Sequence, residues 1–163
     1  MSLEPCPSRR SLVHGAAQAV MAVALWRPAL AAVALPKMTV TRDPSCGCCG
    51  GWVAHAKAAG FPVDVVELAD VLPLKAQLGV PENLTSCHTT QVGGYVVEGH
   101  VPAEAIKRLL AERPNVTGIA VAGMPLGSPG MEVAGEPAQT YDVVIFSSGR
   151  QNVFVRYRGL QQI

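Results

Sequence analysis

Three cysteines in four residues, Cys46-Gly47-Cys48-Cys49, separate a stretch that alternates like a strand from one that reads as a helix. A fourth follows downstream as Cys87-His88. A sulfur-rich turn between strand and helix places thiols beside free backbone amides and the positive end of a helix dipole, which favour thiolate over thiol. Thiolate is both the nucleophile of thiol exchange and the ligand of soft metals, so the placement serves either chemistry. Everything functional in this chain follows from that cluster.

The pattern around it reads as an α/β domain. Residues 37–41 alternate polar and apolar and predict a strand, stopped by Asp43-Pro44-Ser45. Residues 51–59 carry helix formers and end at Gly60. The apolar, β-branched run 63–68 predicts a buried strand, and 71–78 a short helix with Pro73 in its first turn and Gly79 beyond its end. Residues 89–92 and 95–97 flank Gly93-Gly94 as a hairpin, and a helix then runs from Pro102 through Glu112 on a stripe of Ile106, Leu109 and Leu110. The order βαβαββα, with Cys-x-x-Cys at the first strand-to-helix junction, predicts a thioredoxin-like core. Residues 115–139 hold too many glycines and prolines for regular structure throughout and predict a long Gly/Pro/Met-rich loop. A C-terminal hairpin, 141–146 with 152–157, turns at Ser148-Gly149.

Residues 1–34 read as an export signal. Arg9-Arg10 open it in a Ser-Arg-Arg-Ser-Leu-Val setting that resembles the twin-arginine type, an apolar stretch follows over 12–25, and small-x-small sites stand at Ala29-Leu30-Ala31 and Ala32-Val33-Ala34. The apolar run is too short for a permanent membrane span. A single mature domain, 35–163, in the periplasm is therefore expected, and Cys6 would leave with the signal. A net charge of +1 and 5% aromatic residues supply neither a basic stripe nor a stacking platform, which argues against nucleic acid as a partner.

Four cysteines remain after the signal. In an oxidising compartment an even count suggests disulfides, but three crowded into one loop are poorly placed to staple distant segments. Two features favour metal. Cys48 sits inside the Cys46/Cys49 spacer, where a dithiol oxidoreductase seldom carries a diverting thiol. Cys87-His88 stands just before the third strand, where thioredoxins bring a proline-bearing segment to the redox loop, and so offers a thiol and an imidazole instead. Among soft-sulfur metals Cu(I) fits best, since it accepts few thiolates and bridging sulfur in polynuclear clusters. Zinc prefers a closed tetrahedral set, and the spacing matches neither ferredoxin pattern. A periplasmic thiol-disulfide or copper oxidoreductase using Cys46 and Cys49 is the alternative. Met124 and Met131 in the loop are candidate thioether caps or gap fillers. His100 reads as a capping or turn residue, His55 as a half-exposed helix residue, either one a lesser candidate ligand, and Trp52 as a core or rim aromatic.

The runs Thr41-Arg42-Asp43-Pro44-Ser45-Cys46-Gly47-Cys48-Cys49-Gly50-Gly51-Trp52, Ser86-Cys87-His88-Thr89, Val97-Glu98-Gly99-His100-Val101-Pro102-Ala103 and the Gly-Met-Pro/Gly-Met-Glu segment 123–132 together resemble the signatures of the CopG-type family. That resemblance covers about residues 37 to 157. It implies a small exported bacterial protein, associated with copper resistance, whose thioredoxin-like domain holds copper through Cys46, Cys48, Cys49 and Cys87, as a Cu(I)–sulfur cluster. His88 is then a neighbour of the site, Met124 and Met131 become ligands or lid residues, and copper ions and other periplasmic copper-handling proteins become the expected partners.

Overall fold

The computed structural model describes residues 34–163, which fall within one compact unit, Val33–Ile163. The expected export signal lies outside them except for its last residue. The elements follow the order β1 (Met38–Arg42), α1 (Gly47–Ala58), β2 (Val63–Glu67), α2 (Leu72–Gln77), a 3-10 turn (Glu82–Leu84), β3 (His88–Val92), β4 (Tyr95–Glu98) and α3 (Ala103–Glu112). Four further strands complete the chain: β5 (Gly118–Ala120), β6 (Thr140–Ser147), β7 (Arg150–Arg158) and β8 (Gln161–Gln162). All eight join one mixed sheet, ordered β2-β1-β3-β4-β5-β6-β7-β8. Pairing is parallel at β1–β2 and β4–β5 and antiparallel at every other junction.

Side chains alternate across this sheet and divide the apolar residues between two faces. Met38, Val40, Val92, Val97, Ile119, Val143 and Val155 join the larger core with residues of α1 and α3. Their neighbours Val96, Ala120 and Val144 point the other way, to Val80, Leu84 and Phe146. On α1 the buried set Cys49, Trp52, Val53 and Ala56 follows helical spacing, so one cysteine of the cluster is anchored in the core. Trp52 is fully buried and donates its indole N–H to Val101 O at 2.9 Å, tying α1 to the chain entering α3.

Three expectations need correction. Helix α1 begins at Gly47, four residues before the expected start, so Cys48 and Cys49 belong to its first turn and Cys46 is its N-cap. The β-branched run after Gly60 does form a strand, but β2 is an edge strand with only β1 beside it, and all but Val63 of its residues are exposed. β-branching reports strand preference, not burial. Finally, the Gly/Pro-rich segment contains β5, and β5 joins the C-terminal hairpin to the main sheet.

Glycine makes that junction possible. A Cβ on Gly118 would lie 1.8 Å from Val96 O, inside the β4–β5 ladder, where only backbone surrounds it. Gly118→Ala should therefore lower unfolding stability by about 2–4 kcal/mol in a denaturant titration, through overpacking that cannot relax.

Candidate metal centre

The first limb of the site is the turn from β1 into α1. Asp43 Oδ1 accepts the Ser45 N–H at 2.7 Å and also the Ser45 hydroxyl, and these bonds hold the exposed Asp43 carboxyl below its ordinary pKa. Arg42 donates to Cys46 O at 3.0 Å and to Glu67 Oε1 at 2.7 Å, fixing the turn against β2. Cys46 and Cys49, three residues apart with Cα atoms 5.6 Å apart, are joined as a disulfide. The copper reading takes all four cysteines as thiolates, while the oxidoreductase alternative takes Cys46 and Cys49 as a redox pair. Adjacency within one helical turn instead lets this pair close without distorting the backbone. Cys48 and Cys87 are free.

The second limb arrives by strand pairing. In the antiparallel β1–β3 register Arg42 lies opposite His88, so Cys87, one residue earlier, extends beyond the strand toward the cysteine turn. Cys48 Sγ stands 3.6 Å from Cys46 Sγ and 3.8 Å from Cys87 Sγ. One ligand atom from each of Cys46, Cys48, Cys49 and Cys87 lies within 4.8 Å of all the others.

The Gly/Met loop supplies a third limb. Gly123 donates its N–H to Thr85 O at 3.3 Å and accepts the Ser86 hydroxyl on its carbonyl, which places Met124 Sδ 3.9 Å from Cys48 Sγ. Met124 is about half exposed, at 52%. Farther along, Gly130 packs onto the first turns of α1, where a Cβ would lie 2.5 Å from Trp52 N and 2.8 Å from Cys48 O. Met131 contributes main-chain bonds to Gly127 and Ser128, and its sulfur is not among those that meet at Cys48.

Two buried imidazoles line the inner side. His100 Nε2 is 2.9 Å from Cys87 Sγ, and its Nδ1–H donates to Pro129 O at 2.8 Å, which leaves the Nε2 lone pair facing the sulfur. A second nitrogen anchored on a backbone carbonyl is the usual arrangement behind a metal-ligating imidazole. His88 Nδ1 lies 3.3 Å from Cys87 Sγ, while its buried Nε2 has no partner. The His88 ring packs 4.6 Å from Trp52 and meets His100 edge-on at 5.1 Å. His100 is thus a site residue rather than a simple turn residue. The clue in the sequence was its place in Glu98-Gly99-His100, where Gly99, at φ 73°, bends the chain back over Ser86. His55 is committed elsewhere, accepting the Ala103 N–H at 3.0 Å at the start of α3.

Burial governs the protonation of these groups. It drives His88 down to about 3, helped by the charges of His100 and Lys75, and lowers His100 and His55 as well. Burial and the neighbouring Cys48 push the Cys87 thiol up to about 12. Neutral imidazoles and a thiol that resists ionisation without a cation beside it suit a site built to receive positive charge. The sequence reading missed Lys75 and Glu98 altogether. They form a buried ion pair at 2.6 Å behind Cys87, and a charged residue ending the apolar strand Tyr95–Glu98 was the available signal.

A small mixed α/β domain whose cysteines, histidines and a methionine converge in this way defines a thiol-rich protein able to bind metal. A family model described as "Protein of unknown function, DUF411" matches residues 84–131. Two solved structures, both copper resistance protein CopG (form 2 and form 1, in that order), match at 44% identity and a TM-score of 0.71. They cover 76% and 77% of this chain, and 98% and 99% of their own lengths are matched. No curated protein matches. The chain belongs to the CopG copper resistance family.

The histidines make an acid prediction for the metal-free protein. His88 binds a proton near 6.5 when unfolded but only near 3 when folded, so the unfolded chain takes up protons first as pH falls. Stability should therefore drop through that window, by on the order of 2 kcal/mol between about pH 7.5 and about pH 5. Denaturant titrations at both pH values should show the drop, and His88→Gln should reduce it.

Proposed function

We propose that the protein is a periplasmic copper holder that binds Cu(I) through Cys46, Cys48, Cys49 and Cys87, with Met124 capping the site, and so contributes to copper resistance. The observation that carries this reading is the meeting of Cys48 with sulfur from three separate stretches of chain: Cys46, Cys87 and Met124. Thiolate and thioether donors select Cu(I) over harder cations, and His88 and His100 add neutral nitrogens. The unpartnered His88 Nε2, buried without compensation, supports a ligand role for that ring. Met131 lies on the same loop and serves as a lid residue. Loading of all four sulfurs requires an external dithiol to open the Cys46–Cys49 disulfide by thiol exchange, the dithiol leaving as its own disulfide, since only thiolate binds.

Several features support the finer parts of this reading. The order β2-β1-β3-β4, with β1–β2 parallel and β3–β4 an antiparallel hairpin, favours a thioredoxin-like core extended by β5–β8. A disulfide in the site suits an oxidising compartment, which agrees with the leader expected over 1–34. No helix among the described residues is long and apolar enough to cross a membrane. Other periplasmic copper-handling proteins are the natural donors or acceptors of the ion, and the half-exposed Met124 offers them a soft first contact.

A second reading, thiol-disulfide or copper oxidoreductase, is favoured by one observation. The Cys46–Cys49 disulfide stands beside a free thiol, Cys48, at 3.6 Å from Cys46. The two readings part on Cys87. Protein reduced and loaded anaerobically should carry more than one Cu(I) per chain with thiolate-to-copper ultraviolet absorption, and Cys87→Ser should lose at least half of both. Full copper content in Cys87→Ser, with turnover of a disulfide substrate, would support the oxidoreductase instead.

A further inference from the structure

A buried network directly behind Cys87 takes no part in the proposed ligand set. Glu98 is fully buried at the end of β4, and Lys75 of α2 is nearly so. Lys75 Nζ donates to Glu98 Oε1 at 2.6 Å and to Thr89 Oγ1 at 2.9 Å, and Thr89 Oγ1–H donates to Glu98 Oε2 at 2.6 Å. Ser86 N–H completes the set, donating to Glu98 Oε1 at 2.7 Å. One carboxylate therefore grips the chain on both sides of Cys87: one residue before it through Oε1, two residues after it through Oε2. Two residues beyond Glu98, His100 touches the Cys87 sulfur itself at 2.9 Å.

A buried ion pair is a poor device for stability alone. Desolvating two charges roughly cancels their attraction, and an apolar pair of similar volume commonly serves as well or better. What an apolar pair cannot supply is an acceptor aimed at Ser86 N–H. Gly99 keeps that geometry open, since a Cβ there would lie 2.5 Å from the Ser86 side chain and 2.6 Å from Val121 O.

We propose that Glu98, neutralised by Lys75 and oriented by Thr89, is the positioning residue of the Cys87 limb, holding Ser86 N–H so that the Cys87 sulfur stands beside Cys48. It touches no ligand atom and acts through the backbone. The copper arm of its test rests on the function proposed above, whereas the thiol-accessibility arm does not.

Two paired variants separate the acceptor from the charge. Lys75→Met with Glu98→Gln removes both charges and keeps an amide oxygen for Ser86 N–H. Lys75→Met with Glu98→Leu removes the acceptor too. In reduced, metal-free protein, alkylation of Cys87 by iodoacetamide, read by peptide mass spectrometry, should stay within about twofold of wild type in the Gln pair and rise about tenfold in the Leu pair, the loss expected for one hydrogen bond in a native opening equilibrium. Cys48 should change little in either. Cu(I) content should follow, with the Leu pair falling to the level of Cys87→Ser and the Gln pair staying near wild type.

Equal Cys87 reactivity in the two pairs would overturn the proposal. Should the Leu pair not fold, Ser86→Pro against Ser86→Ala decides the matter with the ion pair intact. Proline lacks the N–H, so Cys87 should become reactive in the first variant and stay protected in the second. Equal protection in both overturns the assignment. If wild type takes up no Cu(I) while the alkylation contrast holds, the copper reading fails and the positioning role stands.

Discussion

The pairing of β1 with β3 is the constraint on which the rest of the site depends. These strands are far apart in sequence, yet their antiparallel register sets Arg42 opposite His88 and so brings the end of one against the start of the other. Helix α1 springs from the end of β1, and Cys87 precedes the start of β3. Sulfur from both must therefore meet at one end of these two strands, and a slip of one residue would turn every side chain of β3 to the opposite face. Such a slip would carry Thr90 and Val92 out of the main core and His88 away from Trp52, so core packing and site geometry enforce the same register.

The same economy governs the two faces of the sheet. His88 points toward α1 and the turn before α3, where Trp52 and His100 bury it, while Thr89 points the other way, where Lys75 of α2 and Glu98 at the end of β4 receive it. Adjacent residues of a single strand thus tie the Cys87 limb to both faces of the sheet. The Gly/Met loop is pinned as well, at Gly123 against Thr85 and Ser86 and at Gly130 against α1, so Met124 projects from a fixed frame. Three limbs, each anchored in a different part of the fold, thus hold Cys48, Cys87 and Met124 together before any ion is present, which lowers the ordering cost that the proposed binding would carry.

The order of elements through α3 was legible in the sequence because strand alternation, Gly stops and the Gly93-Gly94 turn are local signals. So was the meeting of Cys87 with the cysteine turn, which follows from that order once the strands pair as expected. The exposure of β2 had a signal in Asp64 and Glu67, two acids in five residues, which the β-branched valines outweighed in the reading. Strand β5 escaped because three residues beginning with glycine carry little propensity signal, and pairing with β4 and β6 makes them a strand. The Lys75–Glu98 pair escaped for a related reason, and His100 stood only as a lesser candidate ligand. Polar residues become informative only when burial is known, and their partners lie on other elements. The Cys46–Cys49 disulfide turned on helix α1 starting at Gly47, a boundary that composition around Gly50-Gly51 obscures.

The central claim is that sulfur from separated segments converges on one soft monovalent ion or cluster. X-ray absorption at the copper edge, on protein reduced and loaded anaerobically, reads it most directly. The account predicts a Cu(I) edge and a first shell dominated by sulfur, with sulfur depleted in Cys87→Ser and in Cys48→Ser. A shell of nitrogen and oxygen alone, or a sulfur shell that neither substitution alters, would contradict it.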